Sequence, residues 1–216
     1  MGAVLWWLLK QTFNVRPWVA DAATDSVRDD GVRSPFTAKP LSNMKIGLGV
    51  FLAVATSLFA LFISAYSIRM EYADWRPLTE PGLLWINSAI LVLSSIFLQW
   101  AWVGAKRGEL RTVWCGVAAG GACAIAFIIG QLVAWDELAS SGYFVTGNPA
   151  NGFFYMLTGA HALHLMGGLV ALSRTVSRLW RRQDMESIEL GVELCAVYWH
   201  YLLAVWLILF GLLLAT

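Results

Sequence analysis

His161 and His164 stand three residues apart, and Glu193 and His200 seven apart, in stretches that hold few other polar side chains. On a helix, a spacing of three puts both imidazoles on one face. Seven residues make nearly two turns, so Glu193 and His200 share a face as well, with Ala196 and Val197 between them. Imidazole is the commonest metal ligand, and polar groups set in lipid are functional candidates by default. A metal or haem site, a proton relay and an interhelical hydrogen-bond network are therefore the chemistries to weigh. No second HxxH, no Glu-x-x-His and no cysteine at ligand spacing accompanies the histidines. The residues by themselves fit buried histidines hydrogen-bonded across helices, a modest stabiliser of a bundle, better than a metal centre. No catalytic, cofactor-binding or metal-ligating residue is assigned. His161, His164, Glu193 and His200 are read instead as an intramembrane polar network, structural or lipid-associated. A phosphate loop, a nucleophile–base constellation and a dinucleotide fingerprint are all missing.

The elements that must position these residues follow from composition. Of 216 residues, 58% are hydrophobic and only 13% charged, against roughly 25% charged in soluble domains. That balance excludes a soluble fold and a disordered chain alike. A net charge of +1 gives no electrostatic footprint for nucleic acid. Twelve tryptophans suit aromatic belts at membrane surfaces. Five stretches, 46–68, 83–104, 112–135, 152–173 and 194–214, contain no Asp, Glu, Lys or Arg. At about 1.5 Å rise per residue, each is long enough to span the roughly 30 Å hydrocarbon core. Lipid offers backbone groups no partner, so the spans must be helices. The fold class is an all-α integral membrane protein. A five-transmembrane-helix bundle over 45–216 follows a cytoplasmic or interfacial extension over 1–44.

Orientation follows from Lys and Arg. Residues 1–45, 105–111 and 174–193 carry thirteen of them, whereas the opposite side has two, Arg69 and Arg76. The positive-inside rule puts the N-terminus in the cytoplasm and the C-terminus in the periplasm. The run Val4–Leu9 is too short for a signal peptide and lacks a preceding basic residue. Trp6, Trp7, Phe13 and Trp18 are placed at the interface, with a loose polar linker over 21–40. Cys115, Cys123 and Cys195 all fall inside spans and read as small buried apolar residues. Pro77 and Pro81 fix an outside turn, and Asp184 to Glu193 reads as a polar approach to the fifth helix.

Depth brings the histidines together. His164 lies about 13 Å from the cytoplasmic end of its span near Ser173, and His200 about 10 Å from Glu193. If the fourth and fifth helices are neighbours, as a short connection favours, the two rings meet or share a carboxylate. Small residues mark close packing: Gly116, Gly120 and Ala124 at spacing four, and Gly159, Ala160, Gly167 and Gly168. A transporter would show broken helices or midplane charges, and no span here holds a charged residue.

Two segments carry a resemblance. Thr158-Gly-Ala-His-Ala-Leu-His-Leu-Met-Gly-Gly168 resembles the segment T-G-x-H-x-x-H-x-x-x-G of subunit III of haem–copper oxidases. Glu193-Leu-Cys-Ala-Val-Tyr-Trp-His-Tyr-Leu-Leu-Ala-Val-Trp-Leu207 resembles that family's final helix, with a glutamate, Y-W-H and V-W-L in the same order. The stretch DWRPLTEPGLLW from Asp74 to Trp85 is similar to a bacterial branch. The resemblance covers about residues 45–216, in a short five-helix form.

It implies a non-redox accessory subunit of a proton-pumping terminal oxidase that reduces O2 to water, with ferrocytochrome c or quinol as donor. The chain would hold no cofactor. Haem and copper would reside in subunits I and II, subunit I being the main contact. Phospholipid would be held in a cleft between helices, and proton uptake would be supported. The implied location is the bacterial inner membrane. Two departures weigh against the proton role. Where the family carries a Ser-Glu pair, the place near Val54-Ala55-Thr56 has no carboxylate, and Leu203 stands where relatives carry Asp. The related readings are an accessory subunit of a nitric oxide reductase, and a stand-alone membrane haem or metal protein using His161, His164 and His200.

Overall fold

The computed structural model describes residues 43–72, 75, 82–143, 148–181 and 184–215. Five helices carry nearly all of them: α1 Asn43–Arg69, α2 Leu83–Lys106, α3 Leu110–Ser140, α4 Pro149–Trp180 and α5 Met185–Leu214. Among the described residues there is no strand. Each helix is long and apolar enough to cross a membrane, and each contains one of the five charge-free stretches. Over the described residues the fold is an all-helical, five-span membrane bundle.

The helices outrun the charge-free stretches. Helix α3 continues through Asp136 and Glu137, and α4 through Arg174 and Arg178. The segment expected as a polar approach is helical from Met185 onward, with Glu186, Glu189 and Glu193 inside α5. Absence of charge marks the depth of hydrocarbon, whereas Glu and Arg are good helix formers and let the helix run on into the interface. The extension expected over 1–44 lies outside the described residues, except for Asn43 and Met44, which are already helical. Most of the two-proline turn lies outside them too.

Local chemistry fixes several ends. Asn148 is extended, its side chain accepts the Ala150 N–H at 3.3 Å, and Pro149 opens α4 where a missing N–H costs nothing. Helices α2 and α3 both end in a left-handed glycine, Gly108 at φ 72° and Gly142 at φ 86°. Around Gly108, the Glu109 N–H reaches Gly104 O and the Gly108 N–H reaches Ala105 O, both at 3.0 Å. These are the two bonds of a Schellman motif.

The main core lies among α2 to α5, around Leu91, Leu98, Phe127, Leu165, Trp199 and Trp206. Helices α2 and α3 make the closest pair. A Cβ on Gly116 would stand 2.7 Å from Ala101 Cβ and 2.8 Å from the Phe97 carbonyl oxygen, and one on Gly120 would stand 2.8 Å from Leu98 Cγ. The row of small residues on α3 is thus the seam with α2. Ser94 bridges it, donating to Gly120 O at 2.7 Å and accepting from Trp199 Nε1 at 2.9 Å. On α4, Gly168 takes the Tyr198 and Trp199 rings, whereas Gly167 meets nothing.

Helix α1 packs on α4 and α5. Its buried residues are Ala55, Phe59 and Tyr66. Phe59 and Tyr66 belong to a separate small cluster with Leu157, Val205 and Leu209. Tyr66 meets Trp75 and Phe153 edge-on at 4.9 and 5.6 Å. Thr56 Oγ1 and Tyr201 Oη lie 3.0 Å apart.

Candidate functional site

Helices α4 and α5 are neighbours, as the short connection implied. Their polar residues nevertheless find different partners from those expected. His161 is fully buried, ringed by Phe59, Phe127 and Trp206 with centroids at 6.5, 5.9 and 5.1 Å. Neither of its ring nitrogens has a hydrogen-bond partner. His164 is half-buried between Phe51 and Phe59, and its Nδ1 lies 2.8 Å from Ala160 O. His200 is exposed, with Nδ1 2.6 Å from Ala196 O. Glu193 Oε1 lies 2.6 Å from Lys45 Nζ.

No direct hydrogen bond joins His164 to His200 or Glu193 to any histidine, so the four are not linked side chain to side chain. Two physical reasons account for this. An imidazole one turn from a backbone carbonyl can satisfy its Nδ1 locally, as polar side chains in helices commonly do. A spacing of three also leaves two side chains about 60° apart on a helix, which suffices to send His161 inward and His164 to the rim. Helix α1 supplies the cation, Lys45, that pairs with Glu193.

The interhelical hydrogen bonds come from side chains other than the imidazoles. Tyr198 donates to His164 O at 2.8 Å, Trp199 to Ser94 Oγ and Trp206 to Ser88 Oγ, both at 2.9 Å. Trp135 donates to Thr158 Oγ1 at 3.1 Å. The available signal was an aromatic residue with a polar tip set in an apolar helix, facing a serine or threonine on another. Lipid-facing hydrocarbon makes such pairs the natural partners.

Between α1, α4 and α5 a groove of about 620 Å³ opens. Leu48 and Phe51 form one wall, and His164 and Tyr198 line its depth. Arg174 and Arg178 stand along it one turn apart, and neither pairs with a carboxylate among the described residues. The Lys45–Glu193 pair ties α1 to α5, and its side chains are 38% and 25% exposed. A pair this accessible contributes about 1 kcal/mol or less. Glu193→Gln and Lys45→Met should therefore each shift the thermal midpoint slightly. Together they should cost no more than one alone in a double-mutant cycle; fully additive losses would show the two groups are uncoupled.

Among the described residues no group of three His, Cys, Asp or Glu side chains comes together that could hold a metal ion. What the geometry defines is a multi-pass helical membrane protein whose conspicuous surface feature is an apolar groove with a basic edge. Comparison with known proteins places it within that class. The family model for cytochrome c oxidase subunit III matches residues 8–214. The cytochrome c oxidase subunit 3 of Synechocystis sp. is 30% identical over 175 residues, covering 76% of this chain and 72% of the relative. That of Thermostichus vulcanus is 31% identical over 175 residues, covering 78% and 85%. A probable cytochrome c oxidase subunit 3 of Mycobacterium tuberculosis is 30% identical over 172 residues, covering 77% and 85%. The chain belongs to the cytochrome c oxidase subunit III family. As an oxidase subunit it works in a complex with other oxidase subunits. The family match begins at residue 8, well before the point near residue 45 where the motif resemblance started.

Proposed function

We propose that this chain is the non-redox accessory subunit of a respiratory terminal oxidase that reduces O2 to water and pumps protons. Its main contact is the catalytic subunit I, with subunit II in the same complex; those partners hold haem and copper. The proposed location is the bacterial cytoplasmic membrane, with residues 1–44 an N-terminal cytoplasmic or interfacial extension and the C-terminus periplasmic. The observation that carries this reading is the family match over residues 8–214.

Two features support the finer roles. His200 lies midway along the 30-residue α5, exposed on the outer surface. Around it, the exposed Val197, Ala204, Leu207 and Gly211 form one stripe. A polar ring at that depth is costly in hydrocarbon, so the stripe suits a partner helix that offers a hydrogen bond, and Ala204 and Gly211 allow a close approach. The groove suits phospholipid: apolar walls for acyl chains, and Arg174 and Arg178 for an anionic headgroup. A proton-uptake role has less support. Where α1 approaches the HxxH pair it presents Phe51 and Phe59, 6.1 and 5.2 Å from His164.

The test is purification in mild detergent through a C-terminal tag, with a visible spectrum of the eluate. Larger subunits with haem bands should co-elute, and stripping this chain away should carry no haem with it. A colourless lone chain would overturn the assignment. In the complex, His200→Leu should leave turnover intact and lower the yield of assembled oxidase. Arg174→Ala combined with Arg178→Ala should reduce the anionic phospholipid that co-purifies, as counted by mass spectrometry. Unchanged lipid content would remove the headgroup role.

A further inference from the structure

Deep in the bundle, Asn87 on α2, Gln131 on α3 and His161 on α4 are 1%, 1% and 0% exposed. Asn87 Nδ2, both carboxamide atoms of Gln131 and both ring nitrogens of His161 have no hydrogen-bond partner in the protein. Buried polar atoms are nearly always satisfied, by protein or by ordered water. So many orphans on three separate helices call for a common explanation.

The contacts around them place all three in one layer. The Asn87 carboxamide lies against Gly130, where a Cβ would overlap it; its Cγ would stand 2.9 Å away. Gly130 is the neighbour of Gln131 in sequence. One turn to either side of Gln131, α3 meets α4. Phe127 lies 5.9 Å from the His161 ring, and Trp135 donates to Thr158, one turn before His161. Gln131, one turn from each, therefore stands on the face of α3 turned to α4, at a level between Thr158 and His161. From α5, Trp206 closes the layer. Its ring is 5.1 Å from His161, and its N–H reaches Ser88, the residue next to Asn87.

None of the charge-free stretches that supply the layer holds Asp, Glu, Lys or Arg, and among the described residues no three His, Cys, Asp or Glu side chains come together there. Its loose valences are mixed. Two amide NH2 groups donate, a carboxamide oxygen accepts, and a neutral imidazole does one of each. A ligand must be small, uncharged and able both to donate and to accept. Water meets these terms, and a buried water typically makes about three hydrogen bonds to groups otherwise left without partners.

We propose that Asn87, Gln131 and His161 enclose ordered water inside the α2–α5 bundle, and that this water is the hydrogen-bond partner of the His161 ring. The water joins three helices whose Asn87, Gln131 and His161 side chains share no direct hydrogen bond with one another. It makes the first histidine of the HxxH pair an internal anchor, while the second lines the groove.

The test is a structure of the assembled complex at a resolution that shows ordered water, for the wild type and for Gln131→Met. Methionine keeps the length of glutamine and removes both polar atoms. The wild type should show a peak within hydrogen-bond distance of a His161 ring nitrogen and the Gln131 carboxamide. In Gln131→Met that peak should vanish or move, and the thermal midpoint should fall by about 2–4 °C, the shift expected for a loss of one hydrogen-bonded group in a chain this size. A Gln131 carboxamide turned directly onto His161 with no peak between them would overturn the proposal. So would a wild-type layer without a peak, or a variant that keeps the peak unchanged. If the variant fails to assemble, the wild-type density alone decides.

Discussion

Gly116→Ala destabilises the bundle, while the same change at Gly47 does not. The added Cβ at position 116 meets Ala101 Cβ at 2.7 Å, Phe97 O at 2.8 Å and Ala101 N at 2.9 Å, so two of its three nearest contacts are backbone atoms of α2. Backbone cannot rotate away as a side chain tip can. The two helices must separate, and the α2–α3 seam loses its contacts along several turns. Overpacking typically costs about 1–3 kcal/mol; here the expected cost lies at or above the top of that range, and Gly116→Leu should yield no folded chain. At Gly47 a Cβ meets nothing within 4 Å. There alanine gains helix propensity, up to about 1 kcal/mol over glycine. Thermal unfolding of both variants in detergent reads the contrast. A Gly116→Ala protein that melts with the wild type would show that the seam is not set by backbone approach.

Trp206→Ala should be comparably severe. The indole is fully buried, lies 4.9 Å from Phe127 and 5.1 Å from His161, and stacks 3° from parallel on Phe210 at 6.4 Å. Removing a buried aromatic of this size costs about 3–5 kcal/mol. Its N–H bond to Ser88 separates packing from hydrogen bonding. Ser88→Ala keeps the ring and strands the N–H, at about 1–3 kcal/mol. Trp206→Phe combined with Ser88→Ala should cost less than the two singly added. Strict additivity across that cycle would mean the bond contributes nothing to holding α2 against α5.

Much of this architecture is legible in the sequence because lipid imposes simple rules. Uncharged stretches long enough to cross hydrocarbon have to be helices, and all five appear where charge is absent. The glycine row on α3 is legible for the same reason: close helix approach needs small residues at spacing four, whatever the partner. The ends of α3, α4 and α5 are not, because charge marks the membrane surface and a helix does not stop there. Partner choice was the least legible. Glu193 and His200 share a helix face, as their spacing requires, yet Glu193 binds Lys45. That residue is 148 positions away, on a helix whose position no local pattern specifies. His161 and His164 look equivalent in the motif, but one is sealed among aromatic rings and the other stands at the edge of the groove. Only the arrangement of neighbouring helices separates them.

The placement of α1 bears on how the protein is made. Helices α2 and α3 follow one another through a three-residue turn and pack together at once, a hairpin ready as soon as it leaves the ribosome. Helix α1 precedes them but packs on α4 and α5, and α4 begins 80 positions after Arg69. At about 5–20 residues per second, α1 spends about 4–16 s in the bilayer before α4 begins to appear, and longer before Glu193 exists to meet Lys45. Among the described helices, the first to be made is held by the last two.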